Sequence, residues 1–393
     1  MALRYGSKSA SALRYNSYSA SALRYGGKIA WSGEKVYIPT DSKYFTFAKL
    51  NNQYFITAVD LENIPAEVVL PSTYEGLPVR GLLGNTGFIG CTSITSLVVT
   101  SPYLLMGGFQ NCTNLANITI LHDEVYMAAG TFLNTAYYND ESNWVDDILY
   151  IGKHLLVAKE TISDVNIRSG TVSIAGGAFY NCENIRHITI PDGVKYISNG
   201  FTNTDNIETV IMPDSLIDLP SNVFFDDKNL TVYCKSPSKP SSWADNWCVE
   251  TKVVWGLLDD KQLKFTELAD GTYSVKPIDV TTLPSVIAIP WEYNGSAVTA
   301  IGDYAFYACT DITEVTIPNS ITAIGMYAFF ANRLASVVIP SSVTTMGTQA
   351  FYTDASNPNL TINCEAASKP DGWASDWNKS SSGYSTVNWG FTG

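Results

Sequence analysis

Residues 301–320, IGDYAFYACTDITEVTIPNS, run directly into residues 321–342, ITAIGMYAFFANRLASVVIPSS, with Ile-Gly, Ala-Phe and Ile-Pro in the same places. A chain that repeats at a fixed short period builds stacked units, each of which buries its apolar face only against the next. The phenylalanines that anchor the pattern are Phe88, Phe109, Phe132, Phe179, Phe201, Phe224, Phe306, Phe329 and Phe351. Their successive spacings are 21, 23, 47, 22, 23, 82, 23 and 22 residues. A period of 22–23 residues suits a coil made of a short strand and a tight return.

Around each anchor the chain follows I-G-x-x-A-F-x-x-C-x-x-I-x-x-V-x-I-P. Segments such as ITEVTIP, IRHITIP and IETVIMP alternate apolar and polar residues and close on proline or its neighbour, the pattern of a short strand with one buried face. The glycine before the anchor supplies a bend. The anchor itself turns inward.

A longer duplication encloses the short one. FAKLNNQYFITAVDLENIPAEVVLPSTYEGLPVRGLLG parallels FTELADGTYSVKPIDVTTLPSVIAIPWEYNGSAVTAIG, and NLTVYCKSPSKPSSWADNWCVETKVVWG parallels NLTINCEAASKPDGWASDWNKSSSGYSTVNWG. Two modules are expected, about 41–256 and 257–393, each with a strand-rich N-terminal cap, a stack of coils and a Trp-containing C-terminal cap. Residues 137–170 break the pattern and read as a hairpin built on ILYIG and HLLVAK. Such an insertion either lies on the binding side or is an inert bulge, and the sequence leaves both open.

Over about residues 44–390 the recurring Ala-Phe, Cys and Ile-Pro resemble the BspA-like leucine-rich repeats of bacterial surface proteins and of many mobile-element and protist proteins. That resemblance implies a right-handed solenoid and a binding role without a catalytic centre. The expected fold is therefore a β-rich solenoid of two tandem leucine-rich-repeat modules, preceded by a short β-repeat segment.

That segment is residues 1–40. ALRY recurs at 2–5, 12–15 and 22–25, a strict period of ten. Leu3, Tyr5, Leu13, Tyr15, Leu23 and Tyr25 alternate with polar residues, and Gly, Asn and Ser between them supply turns. These strands hold too few apolar residues for their own core, so they are expected to order against copies of themselves or a larger assembly. Short aromatic repeats closing on a tryptophan, here Trp31, are similar to N-terminal segments of bacteriophage tail-associated proteins. The alternative is a flexible basic arm.

Charge is uneven along the chain. Residues 1–40 carry six Lys and Arg against Glu34, a net +5, so the remaining residues carry −18 of the total −13. An acidic body argues against nucleic acid, where Lys and Arg must neutralise phosphates. The N-terminus lacks the apolar run of a secretory signal, and no stretch reaches the length of a membrane span.

Catalytic and metal chemistry find little support. Cys91, Cys112, Cys182 and Cys309 each follow an anchor by three residues, in a slot that other coils fill with Thr135, Thr204 or Asn332. This is a ladder of small core fillers, whereas metal ligands must converge. Cys234 and Cys248 lie in the first C-terminal cap, where a disulfide is open to either answer. His122, His154 and His187 share no spacing, and no known catalytic fingerprint accompanies them. No cofactor is expected.

Aromatic residues carry the functional weight, at 12% of the chain. Tyr103, Tyr126, Tyr137, Tyr138, Trp144, Trp291 and Tyr293 are not explained by the repeat and form the expected contact surface. The expected function is non-enzymatic recognition of a host cell-surface protein or glycan by a phage tail-associated protein, docked to other virion proteins through residues 1–40. The alternatives are a bacterial surface adhesin and a purely structural virion component. Location follows the same division, the virion tail or an extracellular surface.

Overall fold

The computed structural model describes residues 37–83, 87–105, 107–201, 204, 206–224, 230–248, 251–354 and 360–392, with four short strands between residues 14 and 30. Its body is a β-solenoid. In the first coils one parallel sheet joins Glu67–Val69, Ser96–Val99 and Asn117–Ile120, with Ser96 paired to Glu67 on one side and to Asn117 on the other. A second sheet joins Leu77–Leu82, Tyr103–Leu105 and Val125–Met127. Each coil thus contributes two short strands, because the alternating segments expose one row of side chains and turn the other inward.

Between the two sheets the chain turns on the anchor phenylalanines. All nine are buried, and they stack in threes: Phe88, Phe109 and Phe132 at 4.9 and 5.5 Å; Phe179, Phe201 and Phe224 at 5.3 and 5.0 Å; Phe306, Phe329 and Phe351 at 5.1 and 5.0 Å. The backbone imposes this spacing. Phe88 N–H donates to Gly108 O at 2.7 Å, Phe306 N–H to Ala328 O at 2.7 Å, and Phe329 N–H to Ala350 O at 2.7 Å. The turns are therefore hydrogen-bonded from coil to coil like the strands, at the roughly 4.8 Å rise of a sheet, which also suits ring stacking.

The insertion at 137–170 has a role the sequence does not reveal. Its strands Ile148–Ile151 and His154–Ala158 pair antiparallel, as expected, but they are buried on both sides. Leu149, Ile151 and Leu156 face the core that begins at Phe45, while Ile148, Tyr150, Leu155 and Ala158 face the core that ends at Trp247. The hairpin is a wall shared by two cores. It is neither a binding edge nor an inert bulge, because a strand with apolar residues on both faces cannot sit at a wet surface without exposing one of them.

A third core runs from Leu258 to Trp377. Where the second and third meet, Val254, Leu257 and Ala288 pack with Ile211, Tyr233 and Trp291. Leu258 N–H donates to Ala288 O at 3.0 Å and Ala288 N–H to Gly256 O at 2.8 Å, so the coils continue across the joint. Lys235 bridges Asp192 at 2.8 Å and Asp259 at 2.7 Å, and Lys261 also pairs with Asp192.

In the N-terminal segment Arg14–Tyr15 pairs with Tyr18–Ser19, and Leu23–Tyr25 with Lys28–Ala30, each antiparallel. Tyr15, Leu23 and Tyr25 thus fall in short strands, as the ten-residue repeat implies. Leu3, Tyr5, Leu13 and Trp31 lie outside the described residues.

Candidate functional site

Among the described residues, two positions beside the anchor reach the outer edge in several coils. In several coils the residue two before the anchor holds left-handed backbone, at φ +78° for Gly107, +72° for Gly177 and +58° for Asn222, although Gly130 and Asn199 do not. Glycine and asparagine occupy that region at little cost. In the last coils the same position carries Tyr304 at φ +55°, Tyr327 at +54° and Gln349 at +48°. A tyrosine there costs on the order of 1 kcal/mol that glycine would not. The residue after the anchor is Ile89, Gln110, Leu133, Tyr180, Thr202 and Phe225 in earlier coils, and Tyr307, Phe330 and Tyr352 in the last three, where aromatics run without a break.

Together these side chains form an aromatic ladder on one edge of the solenoid. Tyr307, Phe330 and Tyr352 stack with centroids 5.0 and 4.4 Å apart and ring planes 10° and 8° apart. Tyr304 and Tyr327 stack beside them at 5.0 Å, and the rows meet where Tyr327 touches Phe330 edge-on at 5.5 Å. Tyr304 is 46% exposed, Tyr307 43% and Met326 40%. An exposed apolar surface of this kind is characteristic of an interaction site.

The coils approach closely enough for this stacking because glycine lies behind it. A Cβ on Gly325 would come 2.5 Å from Asp303 N, and one on Gly347 would come 2.3 Å from Met326 N. The same glycines, with Gly302 and Gly372, line a groove of about 730 Å³ edged by Asp303 and Asp371. Asp303 and Met326 precede the ladder residues Tyr304 and Tyr327, so the groove and the ladder share a border. Asp303 Oδ1 accepts a hydrogen bond from Met326 N–H at 2.8 Å.

The aromatic residues singled out from the sequence do other work. Tyr103 is 2% exposed, its hydroxyl donating to Pro71 O at 3.3 Å, so it offers no contact surface. The reason is that Tyr103–Leu105 is a core strand of its coil. Tyr137, Tyr138 and Trp144 are partly buried against the first core, with Tyr137 Oη donating to Tyr150 O at 2.6 Å and Trp144 Nε1 to Tyr138 O at 2.9 Å. Trp291 closes the joint against Tyr233 at 4.5 Å, and Tyr293 stacks on Phe265 at 3.8 Å. Tyr126 meets Tyr196 edge-on at 5.6 Å. Apart from the neighbours Tyr137, Tyr138 and Trp144, the structure does not gather these residues. The ladder escaped notice because its members lie within the repeat. Aligning the coils and reading the columns two before and one after the anchor would have exposed it.

The cysteine slot also has a physical reading. Cys91 Sγ donates to Leu61 O at 3.2 Å and Cys112 Sγ to Phe88 O at 3.0 Å. Thr135 and Thr204 donate to Phe132 O and Phe201 O, both at 2.8 Å, and Asn332 Nδ2 donates to Phe306 O at 3.0 Å. The slot needs a small buried donor that caps a turn carbonyl, and Cys, Thr and Asn all supply one. Burial pushes the Cys112 and Cys364 thiols up to about 12 and those of Cys182 and Cys309 up to about 11, far from thiolate chemistry. Cys234 is buried beside Cys248, and burial pushes its thiol up further still. His154 is buried with Nδ1 2.8 Å from Ser173 Oγ, while His187 is an exposed strand residue. Among the described residues no group of three His, Cys, Asp or Glu is placed to hold a metal ion.

The repeat itself matches a known family model. Residues 149–242 and 291–369 match a BspA type leucine rich repeat region, in six copies. Among solved structures the chain is similar to a leucine rich repeat protein of T. pallidum, at 22% identity over 55% of this chain and 86% of that one, TM-score 0.27. It is also similar to a leucine rich cell surface protein from Faecalibacterium prausnitzii, at 16% identity over 91% and 99%, TM-score 0.21. A leucine-rich repeat protein from Bacteroides ovatus is 18% identical over 90% and 91%, TM-score 0.21. No curated protein matches the chain.

Proposed function

Starting from coils that are BspA-type leucine-rich repeats, we propose that this protein is a non-enzymatic recognition protein, an adhesin that meets its ligand on a cell surface through the edge of its last coils. One observation carries the reading. Tyr304 and Tyr327 are held on left-handed backbone where earlier coils use glycine or asparagine, and the rings so placed are not buried, Tyr304 being 46% exposed and Tyr327 partly exposed. Stacking between them returns about 0.5–1.5 kcal/mol against a backbone cost of about 2 kcal/mol for the two residues, so stability alone gives no reason to prefer them. Recognition does, because rigid aromatic side chains lose little entropy on binding and dominate contact energies.

The test is binding of labelled full-length protein to intact cells, compared with the Tyr307→Ser/Phe330→Ser double variant. Loss of labelling with an unchanged thermal transition supports the reading; equal labelling by both proteins overturns it.

A second reading keeps the recognition role but moves it to a phage tail. The observation in its favour is the ALRY repeat, whose described strands pair as hairpins and whose charge opposes that of the body. Light scattering of the full chain beside a chain beginning at residue 41 separates the two. An oligomer that becomes monomeric on deletion favours a particle protein, and two monomers favour the surface adhesin.

A further inference from the structure

We propose that the partner seated on the aromatic ladder is an extended polypeptide segment carrying arginine or lysine beside apolar side chains, a deepening that rests on the recognition reading above. Sugar recognition by aromatic residues uses open ring faces. Here both faces of the central ring are taken, since Phe330 lies between Tyr307 and Tyr352 at 5.0 and 4.4 Å. What the ladder offers along its length is ring edges and phenol hydroxyls. The hydroxyls of Tyr304, Tyr307, Tyr327 and Tyr352 make no hydrogen bond among the described residues, and they are free to donate to main-chain carbonyls of an extended partner. The first rung carries the most exposed aromatic rings of the ladder, Tyr304 at 46% and Tyr307 at 43%. An open tyrosine face attracts a guanidinium or ammonium group.

Charge points the same way. Residues 257–393 hold six Lys and Arg against thirteen Asp and Glu, a net −7. Around the ladder, residues 300–354 hold Asp303, Asp311, Glu314 and Asp354 against Arg333 alone. Asp303 stands beside Tyr304 on the border of the groove. A partner whose cation enters at the Asp303 end and whose apolar residues follow the ring edges matches both features, and a neutral glycan or a second copy of this acidic module matches only one.

The experiment selects a random-peptide display library against the full-length protein and measures affinities of the selected synthetic peptides by fluorescence anisotropy. The expected peptides are enriched in Arg or Lys with Tyr, Trp or Leu. Their affinity falls about tenfold or more in Tyr307→Ser/Phe330→Ser, a hot-spot-sized loss. It also falls in Asp303→Asn, which keeps the acceptor for Met326 N–H and leaves the ladder whole, so a folding defect in the double variant does not obscure the result. Added salt weakens binding to the wild type more than to Asp303→Asn. Peptides without basic residues, or with affinity indifferent to both variants, overturn the proposal. Ladder-dependent binding on an oligosaccharide array, or a ladder-dependent dimer in sedimentation, overturns the partner class while recognition stands. No ladder-dependent ligand of any kind overturns both.

Discussion

Tyr327 stacks on Tyr304 with centroids 5.0 Å apart while both residues hold left-handed backbone, at φ +54° and +55°. The two facts oppose each other energetically. Replacing Tyr327 by Gly removes the backbone penalty, about 1 kcal/mol, and also removes a stack worth about 0.5–1.5 kcal/mol. The expected change in unfolding free energy is within about 1 kcal/mol of zero, read from the urea midpoint. Tyr327→Ala keeps the penalty and loses the stack, so it should be the less stable of the pair. A glycine variant that loses several kcal/mol would mean that Tyr327 is a core residue.

Phe329 is the middle ring of a buried stack, 5.1 Å from Phe306 and 5.0 Å from Phe351. Phe329→Ala should cost roughly 3–5 kcal/mol, with the neighbouring rings losing contacts on one side each. Phe330→Ser, one residue along the same turn but on the outer edge, should cost about 1 kcal/mol or less. The contrast between adjacent residues, measured in one set of chemical denaturation curves, tests whether the anchor column alone faces inward.

The anchors were legible because burial imposes one residue type at one spacing, and nine repetitions make that constraint visible. The duplicated lead-in and Trp-containing segments stand out in the sequence for a similar reason, since the chain contains each twice. The ladder was not. Recognition surfaces vary from coil to coil, so Tyr307, Phe330 and Tyr352 look like decoration on a repeat whose signal lies elsewhere. Setting aside aromatics inside the repeat and keeping those outside it favours residues such as Tyr103, Tyr137 and Trp291. Those are needed where the repeat is interrupted, at strand, hairpin and joint, because an interruption must be filled by something large. The buried hairpin at Ile148–Ala158 was recognised as a hairpin from its strands, but its two-sided burial depends on cores far apart in sequence.

Gly256 sits at the joint with φ +73°, and a Cβ there would lie 2.0 Å from Val286 O. That atom belongs to a strand, so it cannot swing aside as a flexible side chain would. Gly256→Ala should weaken the bonds that link Gly256, Leu258 and Ala288 and cost roughly 2 kcal/mol or more. The expected signature is a thermal transition that separates into two, with protease cleavage appearing near residue 256. A single unshifted transition would show that the joint does not couple the two sides.

His154 gives the fold a pH dependence with a definite sign. Burial pushes its pKa from 6.5 down to about 4, against a smaller opposing pull from Asp123, and Ser173 Oγ lies 2.8 Å from Nδ1. The folded state therefore holds a neutral imidazole, and the unfolded chain takes up the proton first. Stability is whole above about pH 6.5, falls as pH drops towards 4, and loses nothing more from this residue below that, where both states are protonated. The full loss is about 3 kcal/mol. Carboxylates act in a lower window: the hydrogen bond from Lys195 holds Asp123 below 3.8, so its contribution disappears only as pH falls past that value. Urea midpoints at several pH values between 7.5 and 4.5 should thus decline steadily for the wild type. His154→Gln should begin lower and stay nearly flat over the same range, and a decline as steep as the wild type's would assign the titration to another group.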